Sequence, residues 1–429
     1  MKMLPKQWIP LISLILTLTI IPVSIGRMYN LAVDSNWMEL DEEDRMLNQC
    51  AEIYSKHDKA NLTTLVSVIA IIRPGAETSD NSSSRYSLST KNSHAKRQSK
   101  LTRRGIQQMQ RVGSMISRRY GSFLKNLPRD DINVRSLAKV SAVDSANVLV
   151  DKVFHSSSYT PANRIIINTL PDIVDTVLSS DALCPNRIQE LLNNLNTDQV
   201  LQFINLPAVS DLLDTVVTNT GLDRTLNSLV ETLNDLLGLE AAGIPLPDWA
   251  TINDTLDQLT KTVTEIVKFL LTTPLSLQLN VGPLLDEIVQ ILNMANSNDQ
   301  DSMAKISIYI ADEMKLEALL KVLGETLDDL VPPAGTILIE AHENQRIKVF
   351  YLGDTSHPPF NVRKLRLVPF LTDPTKTRVY LPNLLKVLEP LLNINWLLTC
   401  GVDPAFDLIK AIEETLDGLV SSLGGKQIN

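Results

Sequence analysis

The sequence predicts an α/β protein: a sheet domain with an all-helical cap inserted into it. Three observations carry this. Residues 62–72, LTTLVSVIAII, form a β-branched apolar run without polar alternation, the pattern of a strand buried on both faces. Residues 160–300 are nearly all amphipathic helix. Strand patterns then return at KISIYIA 305–311, GTILIEA 335–341 and RIKVFYLG 346–353, with a helix, EMKLEALLKVLG 313–324, between the first two. Strands interleaved with helices around an all-helical middle make one sheet carrying an insertion.

The N-terminal 26 residues read as a signal peptide. Lys2 and Lys6 precede the apolar run Trp8–Ile25, and Ser24 and Gly26 supply a small-x-small cleavage pattern before Arg27. The rival reading, an uncleaved anchor, meets a run at the lower length limit for a span and interrupted by Pro10 and Pro22. Residues 1–26 are therefore assigned to a cleaved leader, with no further membrane span. The chain is expected to be secreted or extracellular, with a lysosomal or signal-anchored location as the alternative.

Residues 27–60 form a polar N-terminal extension around MELDEEDRM. Residues 61–159 are the first part of the sheet domain. After its strand come a Ser/Asn/Lys/Thr-rich loop, 76–100, and a helix over 101–124. That helix has Ile106, Met109, Val112, Ile116, Tyr120 and Phe123 at helical spacing. A short strand, INVRS 132–136, and a helix over 138–154 follow. Residues 160–300 are the cap. Within it TINDTLDQLTKTVTEIVKFLL places Ile252, Leu256, Leu259, Val263, Ile266 and Leu270 on one face, opened by a Thr251/Asp254 capping box. PLPDWA 245–250 marks a hinge between helices. TLNDLL, TLDQL, TLDDLV and TLDGLV recur without a fixed period, which is helix composition rather than a solenoid. Residues 301–403 are the second part of the sheet domain, and 404–429 a C-terminal helix or tail.

Composition narrows the function classes. The net charge of −9 and pI near 5.2 argue against nucleic acid or an anionic membrane as partner. Three sequons, at Asn61, Asn81 and Asn253, fit export and glycosylation. Of the cysteines, Cys50, Cys184 and Cys400, one pair and one leftover is the simplest arithmetic. No Cys/His spacing suits zinc and no Gly-x-Ser-x-Gly elbow occurs, so no metal or cofactor is expected.

Ligands of open α/β sheets bind beyond the carboxyl ends of the strands. Here those ends are Arg73-Pro74-Gly75, Arg135-Ser136 and Ala311-Asp312-Glu313. At these ends the chain resembles the secreted and lysosomal-type histidine acid phosphatases, over most of residues 62–400. LVSVIAIIRPG resembles the strand ending in Arg-His-Gly. LTRRGIQQMQRVGSMISRRYGSFL, 101–124, is similar to the Leu-Thr-x-x-Gly-x-x-Gln helix. VRS at 134–136 resembles the strand end that supplies a phosphate-binding arginine, and LPDWA 246–250 the family's Leu-Pro-x-Trp-Ala. ISIYIADEM followed by a helix and LVPPAG resembles the Ala-His-Asp strand end, its helix and a Leu-Pro-Pro. The order and spacing of five motifs make the resemblance specific. It implies a doubly wound mixed sheet core of the histidine phosphatase/phosphoglycerate mutase type with an inserted helical cap. It also implies a Cys184–Cys400 disulfide, leaving Cys50 free or linking two chains of a homodimer.

In that family the first histidine is the nucleophile, three arginines and a second histidine hold the phosphate, and an aspartate protonates the leaving oxygen. Clustered guanidiniums suit the charge spread over the transferring group, an imidazole can attack and carry it, and a carboxylic acid supplies the proton. Carried over by position, Arg73 and Arg135 match two arginines. Pro74 stands at the nucleophile position, Glu77 at the third arginine, Asp312 at the second histidine and Glu313 at the proton donor. No catalytic set is intact, and three carboxylates face two arginines, which disfavours a phosphate dianion. Arg73 and Arg135 are expected to pair with Glu77, Asp312 or Glu313; a hard cation such as calcium held by the three carboxylates is the alternative. Ala341-His342-Glu343 superficially matches the second motif, but it lies downstream of Pro332-Pro333 and leads into a strand, so His342 is assigned away from the site. The expected function is that of a pseudophosphatase acting as a binding or interaction protein, its partner an unknown small anion or a protein. The alternative is an active acid phosphatase using Arg73, Arg135 and Glu313 by an atypical mechanism. An apolar cap groove for lipid is a further alternative to plain core packing.

Overall fold

The computed structural model describes residues 60–78, 99–125, 127–154, 165–297, 303–325, 328–353, 355, 362–371, 378–392 and 395–402. The assigned leader, the N-terminal extension but for Ala60, and the C-terminal tail lie outside them. So do Cys50, Asn81, His57, His94, His155 and His357.

An eight-stranded mixed sheet is the backbone of the fold, in the order β3-β2-β4-β1-β5-β6-β7, with β8 also pairing β6. Strands β1 (Leu65–Ile72), β2 (Ile132–Leu137), β3 (Ile167–Leu170) and β4 (Ile306–Ile310) are parallel to one another. Strands β5 (Thr336–His342), β6 (Arg346–Leu352), β7 (Val362–Lys364) and β8 (Val379–Tyr380) add antiparallel to the other side of β1. Every residue of β1 and β4 is buried, as a continuous apolar run requires of central strands in a covered sheet. Helices α1 (Arg103–Leu124) and α2 (Val140–Phe154) pack together, with α2 against β2 and β4.

Between β3 and β4 the described residues form seven α-helices: α3 (Pro185–Leu195), α4 (Asp198–Ile204), α5 (Pro207–Thr220), α6 (Leu226–Ala241), α7 (Asp248–Thr251), α8 (Thr255–Leu270) and α9 (Pro274–Ala295). Leu212, Val216, Leu233, Leu236, Leu259 and Val263 form a core of their own between α5, α6 and α8. Helix α9 reaches back to β1, β5 and α10 (Glu313–Val322), tying the helical region to the sheet. Helices α11 (Leu381–Leu388) and α12 (Trp396–Thr399) follow β8. Cys184 and Cys400 are bonded, with both cysteines buried beside Leu279, and the bridge joins the entry to α3 with the end of α12.

Two local expectations are corrected, and two short strands join those expected. Residues 167–170, read as helical, form β3. This strand is largely exposed at the sheet edge, so it carries no apolar signal. Strands β7 and β8 are too short for a sequence pattern and exist only because β6 pairs with them. The Thr251/Asp254 capping box does not form. Asn253 and Asp254 adopt φ of 55°, the Thr251 hydroxyl donates to the Asp248 carbonyl, and α8 starts at Thr255. Ile252 consequently leaves the helix face and stands exposed, while Leu259, Val263 and Ile266 stay in the core.

Candidate functional site

The carboxyl ends of β1, β2 and β4 converge, and the backbone after β1 is fixed before any side chain is considered. The Arg73 N–H extends the ladder to the Gly335 carbonyl at 2.9 Å, and the Pro74 carbonyl accepts from the Ala334 N–H at 3.0 Å. A proline is accepted here because the ladder needs no donor from it. The Gly75 N–H donates to Ser145 Oγ at 3.1 Å and the Ala76 N–H to Gln108 Oε1 at 2.9 Å. Gly75 and Gly105 approach so closely that a Cβ on Gly75 would lie 2.5 Å from the Gly105 carbonyl oxygen. Gly105 is required in turn, because a Cβ on it would lie 2.3 Å from the Ala76 carbonyl oxygen. Thr102 caps α1, accepting from the Gly105 N–H at 3.1 Å and donating to the Ala76 carbonyl at 2.7 Å. The Leu-Thr-x-x-Gly pattern is thus the means by which α1 clamps the loop after β1.

Around this frame the charges are paired. Arg73 bonds the Val331 carbonyl and forms an ion pair with Glu313 at 2.8 Å. Burial raises the Glu313 pKa; Arg73 opposes that shift, while Asp312 and Glu77 add to it. Glu77 accepts from Ser99 Oγ at 3.1 Å. Asp312 lies at the start of α10, with Lys139 at 3.3 Å and the Ser180 N–H at 2.7 Å. Glu313 is therefore the one carboxylate of the expected three that pairs with an arginine of the expected two. Arg135 does not pair with any of the three. Its partners are Asp175, at 3.2 Å, and Glu287 from cap helix α9. Both lie nearer because the loop after β3 and the middle of α9 cover the end of β2.

Sequence reasoning also missed what lies behind the site. Lys315 and Glu317, on the first turns of α10, are fully buried. Lys315 Nζ donates to the carbonyls of Thr176 and Asn280, at 2.9 and 2.7 Å. Burial, helped by the nearby Arg187, lowers its pKa to about 7. Burial pushes Glu317 up to about 8, so it is a neutral acid at neutral pH, accepting from the Val331 N–H. A helical stripe reading puts both outside, and no sequence signal marks them. Asp175 and Glu287 had no signal either, since neither belongs to a local pattern that includes a strand end.

His342 lies elsewhere. It pairs across from Leu65, at the amino end of β1, whereas Arg73 follows Ile72 at the other end. Among the described residues no group of three or more His, Cys, Asp or Glu is arranged to hold a metal ion. The arrangement offers two tethered arginines, Lys139, and carboxylates that outnumber them. Glu313 is the acid paired with Arg73, and among the described residues the site presents no imidazole.

The chain is 27% identical over 286 residues to testicular acid phosphatase of Mus musculus, a match covering 61% of this chain and 66% of that protein. It is 28% identical over 284 residues to prostatic acid phosphatase of Rattus norvegicus, covering 61% and 71%. The chain therefore spans about two thirds of the length of these relatives. No family model matches it. Among solved structures, the Hafnia alvei phytase in complex with myo-inositol hexakis sulphate superposes with a TM-score of 0.59 at 13% identity, over 79% of this chain and 98% of that one. The Citrobacter braakii phytase gives 0.58 at 14% identity, over 79% and 99%. The chain's sequence relatives are thus acid phosphatases, and it shares the fold of the phytases.

Proposed function

We propose that the chain is an exported pseudophosphatase, an acid phosphatase-like protein that binds or interacts instead of hydrolysing. The observation that carries this is Pro74, which stands at the end of β1 beside Arg73 where the family resemblance sets the nucleophilic histidine. Its ring nitrogen is an amide nitrogen whose lone pair is delocalised into the carbonyl, so it does not attack phosphorus. The phosphate-binding side is compromised by the same reading. Arg73 is held by Glu313 and the Val331 carbonyl, and Arg135 by Asp175 and Glu287. An incoming phosphate dianion would have to displace carboxylates from both guanidiniums. Export rests on the N-terminal leader pattern and on sequons, of which Asn61 and Asn253 are exposed.

The test is turnover of an aryl phosphate at pH 4–6 by purified protein, with isothermal calorimetry of inorganic phosphate. The expected result is no turnover above that of an Arg73→Ala/Pro74→Ala control and no binding at micromolar concentration. A phosphoryl–enzyme adduct, or turnover abolished by Arg73→Ala, would establish the alternative of an active phosphatase with Glu313 as proton donor.

A further inference from the structure

From Arg346 to Arg378 the sequence holds seven Lys and Arg against two Asp and no Glu, in a chain whose net charge is −9. Its described strands, β6 and β7, lie on the antiparallel outer side of the sheet, separated from β1 by β5. Arg346, Lys348 and Phe350 alternate along β6 and so share one face. Phe350 pairs with Lys364 of β7, which puts Lys364 on the same face, and Lys348 pairs with Glu340 of β5. The three cations therefore stand in a row with spacings of roughly 7 Å.

Their charge is not cancelled locally. The ion pair of Lys348 is with Glu340, at 3.6 Å. That carboxylate already accepts from Arg119, Tyr120 and His342. Arg346 and Lys364 form no ion pair with another described residue, and Lys364 is exposed. The crowding is felt at Lys348, whose pKa falls through burial and then through Arg346, Lys364 and Arg119, against the pull of Glu340. Like charges gathered at a partly desolvated edge are relieved by a bound anion.

We infer that the β6–β7 edge, through Arg346, Lys348 and Lys364, is a docking strip for a linear sulfated polysaccharide. The repeat of the cations suits a chain of anionic groups and exceeds the span of one phosphate. A broad anionic partner, a membrane or a nucleic-acid duplex, would also face the acidic remainder of the protein; a thin single chain meets only the strip, within about a Debye length of 8 Å. Stacking of successive unpaired bases would need a run of exposed aromatic rings along the strip; Phe350 is buried, and Tyr380, opposite Arg346, is exposed at one end of it.

The experiment is retention of the full chain on immobilised heparin at pH 7, read as a function of NaCl. The wild type is expected to bind at 0.15 M, with a log–log salt slope of about three, one per cation. Arg346→Gln/Lys364→Gln is expected to lose at least tenfold in affinity, and Lys364→Gln alone, at an exposed edge position, about threefold. Lys261→Gln, which removes an exposed cation of the cap paired with Asp257, is expected to bind like the wild type. Lys348 is left in place because it touches the buried Glu340. Failure of the wild type to bind at 0.15 M overturns the inference. So does equal binding by well-folded Lys364→Gln and double variants, or binding to single-stranded DNA or phosphatidylserine vesicles as tight as to heparin.

Discussion

Strand β1 has an ion cluster at each end, and the two are satisfied to different degrees. At the amino end, Glu340 accepts from Arg119 at 3.0 and 2.7 Å and from the Tyr120 hydroxyl at 3.0 Å, and lies 2.9 Å from His342 Nε2. His342 continues to Thr64 at 3.0 Å, and Arg119 stacks on Phe350 at 4.1 Å. Burial alone would raise the Glu340 pKa, yet its bonds to His342 and Arg119 hold it at about 2. At the carboxyl end, acids and bases are also paired, but buried atoms of Asp175, Glu317, Arg187 and Ser180 are left without a protein partner. A closed network of this kind is structural, since each member satisfies another. Buried polar atoms left over at the strand ends mark a place whose residues are not chosen for stability alone.

The largest effect should come from breaking the closed network. Glu340→Ala removes the buried carboxylate that Arg119 pairs with and is expected to cost about 3–5 kcal/mol in urea unfolding at pH 7. A loss below about 1 kcal/mol would mean that the two ends are alike. Glu317 gives the converse at the other end. Its folded pKa, about 8, lies above the ordinary carboxyl value. Its contribution is therefore fully present below about pH 4.5 and declines as pH rises towards 8, at up to about 1.4 kcal/mol per unit. Glu317→Gln cannot ionise. It should match the wild type at pH 4.5 and become progressively the more stable of the two by pH 8, by a few kcal/mol; parallel stability–pH curves would refute this. The Glu340 contribution has the opposite sign, being present above about pH 4.5 and lost as pH falls towards 2. The smallest effect concerns the frame. Gly75→Ala drives a methyl into the Gly105 carbonyl and should cost about 1–3 kcal/mol, with α1 shifted on the loop after β1. Wild-type stability would show that this contact is slack.

How much could be read in advance follows the range of each interaction. The continuous apolar runs of β1 and β4, the amphipathic cap helices and the strand ends at Arg73, Arg135 and Asp312 were legible, because each is written in residues that are neighbours in the chain. The partners of those strand ends were not. Asp175 reaches Arg135 from a separation of 40 residues and Glu287 from 152, each without a local pattern.

The sequence by itself determined the order of the long elements and that position 74 is a proline, since the identity of a side chain needs no fold to be known. Only the tertiary structure decided which carboxylate neutralises which arginine, that Lys315 and Glu317 are sealed behind the site, and that Arg346, Lys348 and Lys364 line up on one edge. Electrostatic pairing depends on distance in space and on exclusion of water, and both are set only when distant segments close on one another.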